Sequence, residues 1–152
     1  MKVSLRKATT ADAPALAALR WRQLTDERGY TGTDFEAYRD LLSAWLDAHR
    51  ATHLAFLAEL AERVVGMAWL MVAERVPSPA ARNRRFGDVQ SVVVAPELRN
   101  SGIGAALLDE VLAEARRLEL EHVTVHSTER AVRFYQRAGF GHDDAWLRWV
   151  PE

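Results

Sequence analysis

The sequence predicts a single α/β domain, residues 1–152, built on a mixed, mostly antiparallel central sheet split by one parallel strand pair, with helices on both faces. Three observations carry this expectation. An apolar run, residues 89–94, leads through the turn Arg99-Asn100-Ser101-Gly102-Ile103-Gly104 into a long amphipathic helix, and a second strand pattern follows at residues 122–126. A strand reached through such a helix is most simply parallel to the one before it, a βαβ unit. Upstream, strand patterns at residues 53–59 and 64–72 are separated by so few residues that they must form an antiparallel hairpin. The chain's 152 residues, 49% of them apolar, suffice for one core, and no linker or internal repeat divides them.

Residues 3–8 alternate as a strand does, and Asp12 followed by Pro14 opens a helix marked by Leu16, Leu19 and Leu24. Residues 25–32 are polar with two glycines, Gly29 and Gly32, and read as a loop. Thr33-Asp34-Phe35-Glu36 then reads as a capping box, in which the threonine and glutamate satisfy each other's backbone donors. The helix it starts carries an inward stripe of Tyr38, Leu41, Leu42, Trp45 and His49, with Arg39, Asp40 and Asp47 facing out. The hairpin turns around Ala61-Glu62-Arg63 and packs on these helices. Residues 75–87 hold Pro77, Pro79 and four arginines, and are expected to form a mobile basic loop that interrupts the sheet.

Ile103, Leu107, Leu108, Val111, Leu112, Ala115 and Leu118 give the strongest helical period in the chain. Ser127 or Thr128 is placed to cap a last helix running through Arg137, which Gly139 ends in the left-handed conformation with Phe140 folded back on the final turn. Residues 146–150 are expected to close the sheet as its last strand.

Composition narrows the chemistry. Without cysteine there is no disulfide, no thiolate metal site and no thioester formed on the protein itself. A formal charge of −1, with acidic and basic residues mixed along the chain, gives no general attraction to nucleic acid or membrane. No apolar run is long enough to span a bilayer, and the start leads directly into a strand pattern rather than a signal peptide, so the expectation is a soluble, cytoplasmic protein. The positive chemical signal is the turn from Arg99 to Gly104. The first N–H groups of a helix have no internal partners and carry the positive end of its dipole, so a strand, a glycine turn and a helix start make an anion site suited to a pyrophosphate. Gly102 and Gly104 keep side chains out of that site.

Arg99-x-x-Gly102-x-Gly104 after the valine-rich strand, and Ala131-x-x-Phe134-Tyr135-x-x-x-Gly139-Phe140 after the next one, are the residues by which the chain resembles the GNAT superfamily of acyl-CoA-dependent N-acetyltransferases. The likeness covers nearly the whole chain: Leu5-Arg6-Lys7-Ala8-Thr9 with Asp12 is similar to the family's first strand and helix, and residues 64–72 with Gly66 to its third strand. The resemblance implies that Arg99, Asn100, Ser101, Gly102, Ile103, Gly104 and Ala105 hold the pyrophosphate of acetyl-CoA, mostly through backbone N–H groups. It implies a bulge in the preceding strand, beyond which the main chain of Val92, Val93 and Val94 pairs with the pantetheine arm. Tyr135 would stand beside the departing sulfur. Thr128 lies where the family often has an asparagine, and a hydroxyl cannot reproduce an amide's donor and acceptor pair. Arg133 and Arg137 are candidates for the CoA 3′-phosphate. Arg82, Arg84 and Arg85 are candidates for that phosphate or for an acidic substrate.

Asp88 stands where some relatives carry a catalytic glutamate and is the expected base, with Glu59 and His126 as weaker candidates. Trp21, Tyr30 and Phe35 flank a loop that shapes the acceptor pocket in relatives. The implied activity is direct acetyl transfer from acetyl-CoA, as co-substrate and without a metal, to a primary amine. A small-molecule acceptor ranks first and a protein N-terminus or lysine second, with the protein a monomer or homodimer. A non-catalytic acyl-CoA-binding or sensing module is the rival, since it would keep the glycine turn but have less use for Tyr135 and a base. A nucleotide-binding βαβ protein ranks behind both, because the third glycine of a dinucleotide fingerprint is missing.

Overall fold

The structure, a computed structural model, describes residues 2–152. Its sheet has five strands in chain order: β1 (Ser4–Lys7), β2 (His53–Leu60), β3 (Arg63–Arg75), β4 (Arg84–Val94) and β5 (Val123–Val125). The first three junctions are antiparallel, and β4 and β5 are parallel because α3 (Ile103–Arg117) carries the chain back between them. Helices lie on both faces. Met67 and Trp69 of β3 line a cavity with Leu16 of α1 (Ala13–Arg28) and Trp45 of α2 (Phe35–His49). Gly66, at the opposite phase of the same strand, faces α3 so closely that a Cβ there would lie 2.9 Å from Leu107 Cδ1. Between these layers Leu16, Leu57, Val65, Leu70, Leu107, Leu108 and Val111 are completely buried, each contributing about 1.5–3 kcal/mol relative to exposure. This core holds β3 and β4 rigid where the site forms. No helix among the described residues is long and apolar enough to cross a membrane.

Several boundaries differ from the sequence reading, each for a local reason. Residues 25–28 continue α1 rather than forming a loop; they are polar because they face solvent, and the helix stops at Gly29, whose φ is +66°. The cap of α2 is Asp34, whose carboxylate accepts the Ala37 N–H at 3.2 Å, and not Thr33. The inward stripe of α2 is Tyr38, Leu42, Trp45, Leu46 and His49; Leu46 is buried, whereas Leu41 falls outside the stripe and is 66% exposed. Both ends of the expected basic loop belong to the sheet. Arg75 and Glu74 pair with Arg84 and Arg85 across β3 and β4, and Glu121 accepts from Arg75 and Arg84 at 2.7 Å each, leaving only residues 76–83 as the connection.

Residues 146–150 do not form a strand. Asp143 captures the chain first: its carboxylate accepts the Ala145 N–H at 2.8 Å and its carbonyl the Trp146 N–H at 3.1 Å, a turn of the kind aspartate favours. The tail beyond meets the residues on either side of β5 through side chains, with Trp146 4.9 Å from the His122 ring and Arg148 3.1 Å from His126 Nε2. Before α4 (Val132–Arg137), Thr128 contributes its carbonyl to Ala131 N–H at 3.0 Å, and its hydroxyl caps nothing, because a 3₁₀ turn intervenes. The other end of α4 is as expected. Gly139, at φ +104°, donates to Gln136 O, and Phe140 donates to Tyr135 O at 3.1 Å, a Schellman stop that fixes Tyr135 in place.

Candidate functional site

The site begins with a defect in β4. Ala68 pairs with Val92 and Leu70 with Val89, so Gln90 and Ser91 together oppose Trp69, and Ser91 takes a φ of +84°. An extra residue on one strand bends it. Parallel pairing with β5 ends at Val89 opposite Val125, and beyond the bulge Val92, Val93 and Val94 pair only with β3. The edge they turn toward β5 opens onto a cleft of about 1010 Å³, whose far wall carries Val125, His126, Ser127 and Thr128. Unpaired backbone of this kind can take an extended ligand as an additional strand would.

At one end of the cleft lies the helix start. Gly102 caps α3 at φ +87°, a conformation side chains rarely adopt, and Asn100 before it is also left-handed at +60°. The Gly102 carbonyl takes the first helical bond, from Ala106 N–H at 3.0 Å, which leaves the N–H groups of Ile103, Gly104 and Ala105 without helical partners at the cleft. A Cβ at Gly102 would meet nothing within 4 Å, so the space before the turn is open, whereas one at Gly104 would already touch Phe134 at 3.5 Å and Val94 at 3.6 Å. The cradle therefore fits a pyrophosphate. Two turn residues behave differently from expectation: Ser101 does not line the cleft and bonds back to Leu98 O, and Arg99 lines it but is held by Glu27. Arg20, Arg28, Arg130 and Arg137 also line the cleft, against the single carboxylate of Glu27, so a chain of near-zero net charge concentrates positive charge here.

Tyr135 comes from α4 to the same cleft, 8% exposed, its ring between Phe134 (5.0 Å) and Phe140 (5.5 Å). Burial raises the pKa of its phenol, so at neutral pH it stays a hydrogen-bond donor.

A second cavity, of about 160 Å³, lies across β4 under α1 and α2. Its walls are Leu16, Leu42, Trp45, Met67 and Trp69, with Arg20, Tyr38, His53, Gln90 and Ser91 as polar members. Ser91 and Arg20 line both cavities, so the bulge is where the two meet. His53 sits edge-on to Trp45 at 4.7 Å, and burial, with help from His49, lowers its pKa, leaving the ring neutral at pH 7. Sequence reading passed over this cavity because its residues come from five elements. The one available signal was Arg20, an arginine at i+4 from Leu16 on the buried face of α1.

Asp88 lies outside the linings of both cavities. Its carboxylate accepts from Thr124 Oγ1 at 2.6 Å, and Gln90, which does line the smaller cavity, approaches its other oxygen at 3.4 Å. Glu59 is bound to Arg6 at 2.7 Å away from both cavities, and His126 lines the larger one. Trp21 packs edge-on against Tyr30 at 5.3 Å and against Phe35 at 5.5 Å, joining α1 to α2, and the three line neither cavity. Arg84 and Arg85 are spent on Glu121 and on Leu118 O, and neither they nor Arg82 and Arg133 line the cleft.

Comparison with known proteins agrees with this geometry. The model of the acetyltransferase (GNAT) family matches residues 14–140. A glucosamine 6-phosphate N-acetyltransferase of Trypanosoma brucei brucei is 31% identical over 86 residues, 57% of this chain and 56% of that protein. A mycothiol acetyltransferase of Propionibacterium freudenreichii is 34% identical over 80 residues, 51% of this chain and 24% of that protein. The chain thus spans about half or less of the length of these curated relatives. Among solved structures, a protein described as a predicted acetyltransferase from Clostridium acetobutylicum, crystallised with acetyl-CoA, superposes with a TM-score of 0.79 at 22% identity, over 98% of this chain and 96% of that one.

Proposed function

The chain belongs to the acetyltransferase (GNAT) family, and we propose that it moves an acetyl group from acetyl-CoA directly to the primary amine of a small molecule. The observation that carries this reading is the meeting of two unlike cavities at Ser91: a long cationic cleft ending in free helix N–H groups, and a small, largely apolar pocket. The first suits a pyrophosphate on an extended arm, the second an acceptor. Ile103, Gly104 and Ala105 would bind the pyrophosphate through backbone N–H groups, and the free edge of Val92, Val93 and Val94 would pair with the pantetheine. Arg130 and Arg137, both in the cleft wall, would meet the 3′-phosphate. Thr128 contributes to the wall at the β5 side.

The neutral amine attacks the thioester carbonyl, a carbon–nitrogen bond forms as the carbon–sulfur bond breaks, the sulfur leaves as a thiolate, and the proton shed by the new amide nitrogen passes through water to that thiolate, giving the free thiol of CoA. Tyr135 donates a hydrogen bond to that sulfur as charge develops; with its phenol pushed up by burial it stabilises a thiolate better than it fully protonates one. An alkylamine is mostly protonated at neutral pH, so a proton must leave before attack. Asp88 would take it through water, relayed past Gln90, while neutral His53 in the pocket wall is the competing acceptor.

The test is thiol release from acetyl-CoA with a panel of primary amines. Acetyl-CoA-dependent turnover of at least one small amine is expected, with no acetylated protein accumulating when the amine is omitted. Tight acetyl-CoA binding with no turnover of any amine would make the protein an acyl-CoA-binding module instead.

A further inference from the structure

The smaller cavity contains a charge that the protein leaves unbalanced. Arg20 is half-buried on α1, and among the described residues it makes no ion pair. Its guanidinium reaches only the neutral amide of Gln23. The carboxylates nearest in sequence are engaged elsewhere, Asp26 by Arg22 and Glu27 by Arg99, and the charged neighbour that acts on Arg20 is Arg28, of the same sign. A partly desolvated cation with no counter-ion is costly, and the cost is recovered when an anion arrives.

The rest of the cavity asks for something different. Trp45 and Trp69, 6.3 Å apart and edge to face, form an apolar wall with Leu42 and Met67. About 160 Å³ is close to the volume that accepts a single benzene-sized ring. An anion site at the junction with the cleft and an apolar slot behind it together describe one kind of amine. In an α-amino acid the amine and the carboxylate share a carbon, so a carboxylate held by Arg20 leaves the amine at the same junction. The side chain is then free to enter the slot.

Taking the acetyl transfer proposed above as given, we propose that the acceptor is an apolar or aromatic α-amino acid, its carboxylate bound by Arg20 and its side chain packed against Trp45 and Trp69.

L-Phenylalanine, phenethylamine, which lacks the carboxylate, and glucosamine 6-phosphate are the probes, used with the full chain and saturating acetyl-CoA. Wild type should turn over phenylalanine with a kcat/KM at least about tenfold above phenethylamine, the low end of what a hydrogen-bonded charge contributes. Arg20→Gln should bring that ratio close to one by raising KM for phenylalanine and not for phenethylamine; because Arg20 also lines the CoA cleft, any loss of acetyl-CoA affinity falls on both amines alike and leaves the ratio as the readout. Trp69→Ala should lower kcat/KM for phenylalanine more than for L-alanine. The inference is overturned if phenethylamine equals phenylalanine in the wild type, if glucosamine 6-phosphate is the better substrate, or if Arg20→Gln leaves the phenylalanine-to-phenethylamine ratio unchanged. Calorimetric titration of phenylalanine into the CoA-bound protein separates this from the wider reading. Binding lost in Arg20→Gln supports the amino-acid site even without turnover, and absent binding to wild type overturns it.

Discussion

The two cavities that meet at Ser91 are made of different material. In the larger, the groups that would pair with a ligand's arm and pyrophosphate are backbone, a bulge, a free strand edge and a helix start from the continuous stretch that runs from β4 through the first turn of α3, while side chains of α1, α4 and the segment after β5 close its sides. The smaller is chiefly side chains, gathered from α1, α2, β2, β3 and β4, elements separated by dozens of residues. A site made of backbone must be coded locally, since only glycines, strand pattern and helix start produce it. A site made of side chains can be redrawn by single substitutions without disturbing the fold. The first is therefore suited to a ligand that does not change, and the second to one that does.

The sharpest way to break this contrast is Gly104→Val. A Cβ there would already stand in contact with Phe134 at 3.5 Å and Val94 at 3.6 Å, so the two added methyls are expected to crowd the cleft before the helix N–H groups. Losing two or more charge-assisted hydrogen bonds, about 1.5–3 kcal/mol each, should remove acetyl-CoA binding from calorimetry, while the thermal unfolding midpoint barely moves. Unchanged affinity would take the glycine turn out of the site. Tyr135→Phe should divide chemistry from binding within the same cleft. The acetyl-CoA Kd should stay within about twofold and kcat should fall about 10²–10³-fold, the usual loss when a donor to developing charge is removed. A variant with near-normal kcat would return Tyr135 to a packing role.

The same division governs what the sequence revealed. The βαβ unit, the parallel pair and the glycine cradle were legible because period and turn chemistry are local, and residues 84–125 contain all of them in one unbroken stretch. Thr33 and Thr128 misled because a neighbouring residue, Asp34 in one case and an intervening 3₁₀ turn in the other, took the capping role. The tail misled because alternation at residues 146–150 says nothing about whether an edge is reached, and the Asp143 turn intervenes. The arginines of residues 75–85 read as loop although Glu121, distant in sequence, neutralises two of them on a strand pair. Arg20, Trp45 and Trp69 were visible as residues but not as neighbours.

A smaller effect should come from the opposite end of α3, which anchors the cradle. Glu114 is buried and accepts from Arg117 and from Lys7 of β1 at 2.6 Å, tying α3 to the far edge of the sheet. These bonds, Arg117 first, hold its pKa down to about 2. Because the folded value lies below the unfolded one, the stabilisation is complete above about pH 4.5 and disappears as pH falls toward 2. Allowing for the exposed partners, it is on the order of 2 kcal/mol. Urea unfolding of Glu114→Gln should show that deficit at pH 7 and converge with wild type near pH 2. A deficit constant with pH would mean that packing, not charge, is lost.

The smallest effect is expected at Asp88, where the contrast between the cavities is least clear, since its carboxylate belongs to neither wall. Thr124 fixes one oxygen at 2.6 Å and Gln90 connects the other, at 3.4 Å, to the acceptor cavity. A base that works through an intervening water and side chain should contribute less than the usual 10²–10⁴-fold, about tenfold or below. Asp88→Asn should keep acetyl-CoA affinity and lower kcat/KM most at neutral pH, where the amine is still protonated. The deficit should shrink as pH approaches the amine's own pKa, because solvent then removes the proton. His53→Gln, measured beside it across the same pH range, separates the two routes. If the histidine carries the proton, its variant shows the shrinking deficit and Asp88→Asn runs parallel to wild type. In that case the proton leaves through the aromatic wall, and the acceptor cavity supplies its own base as well as its own specificity.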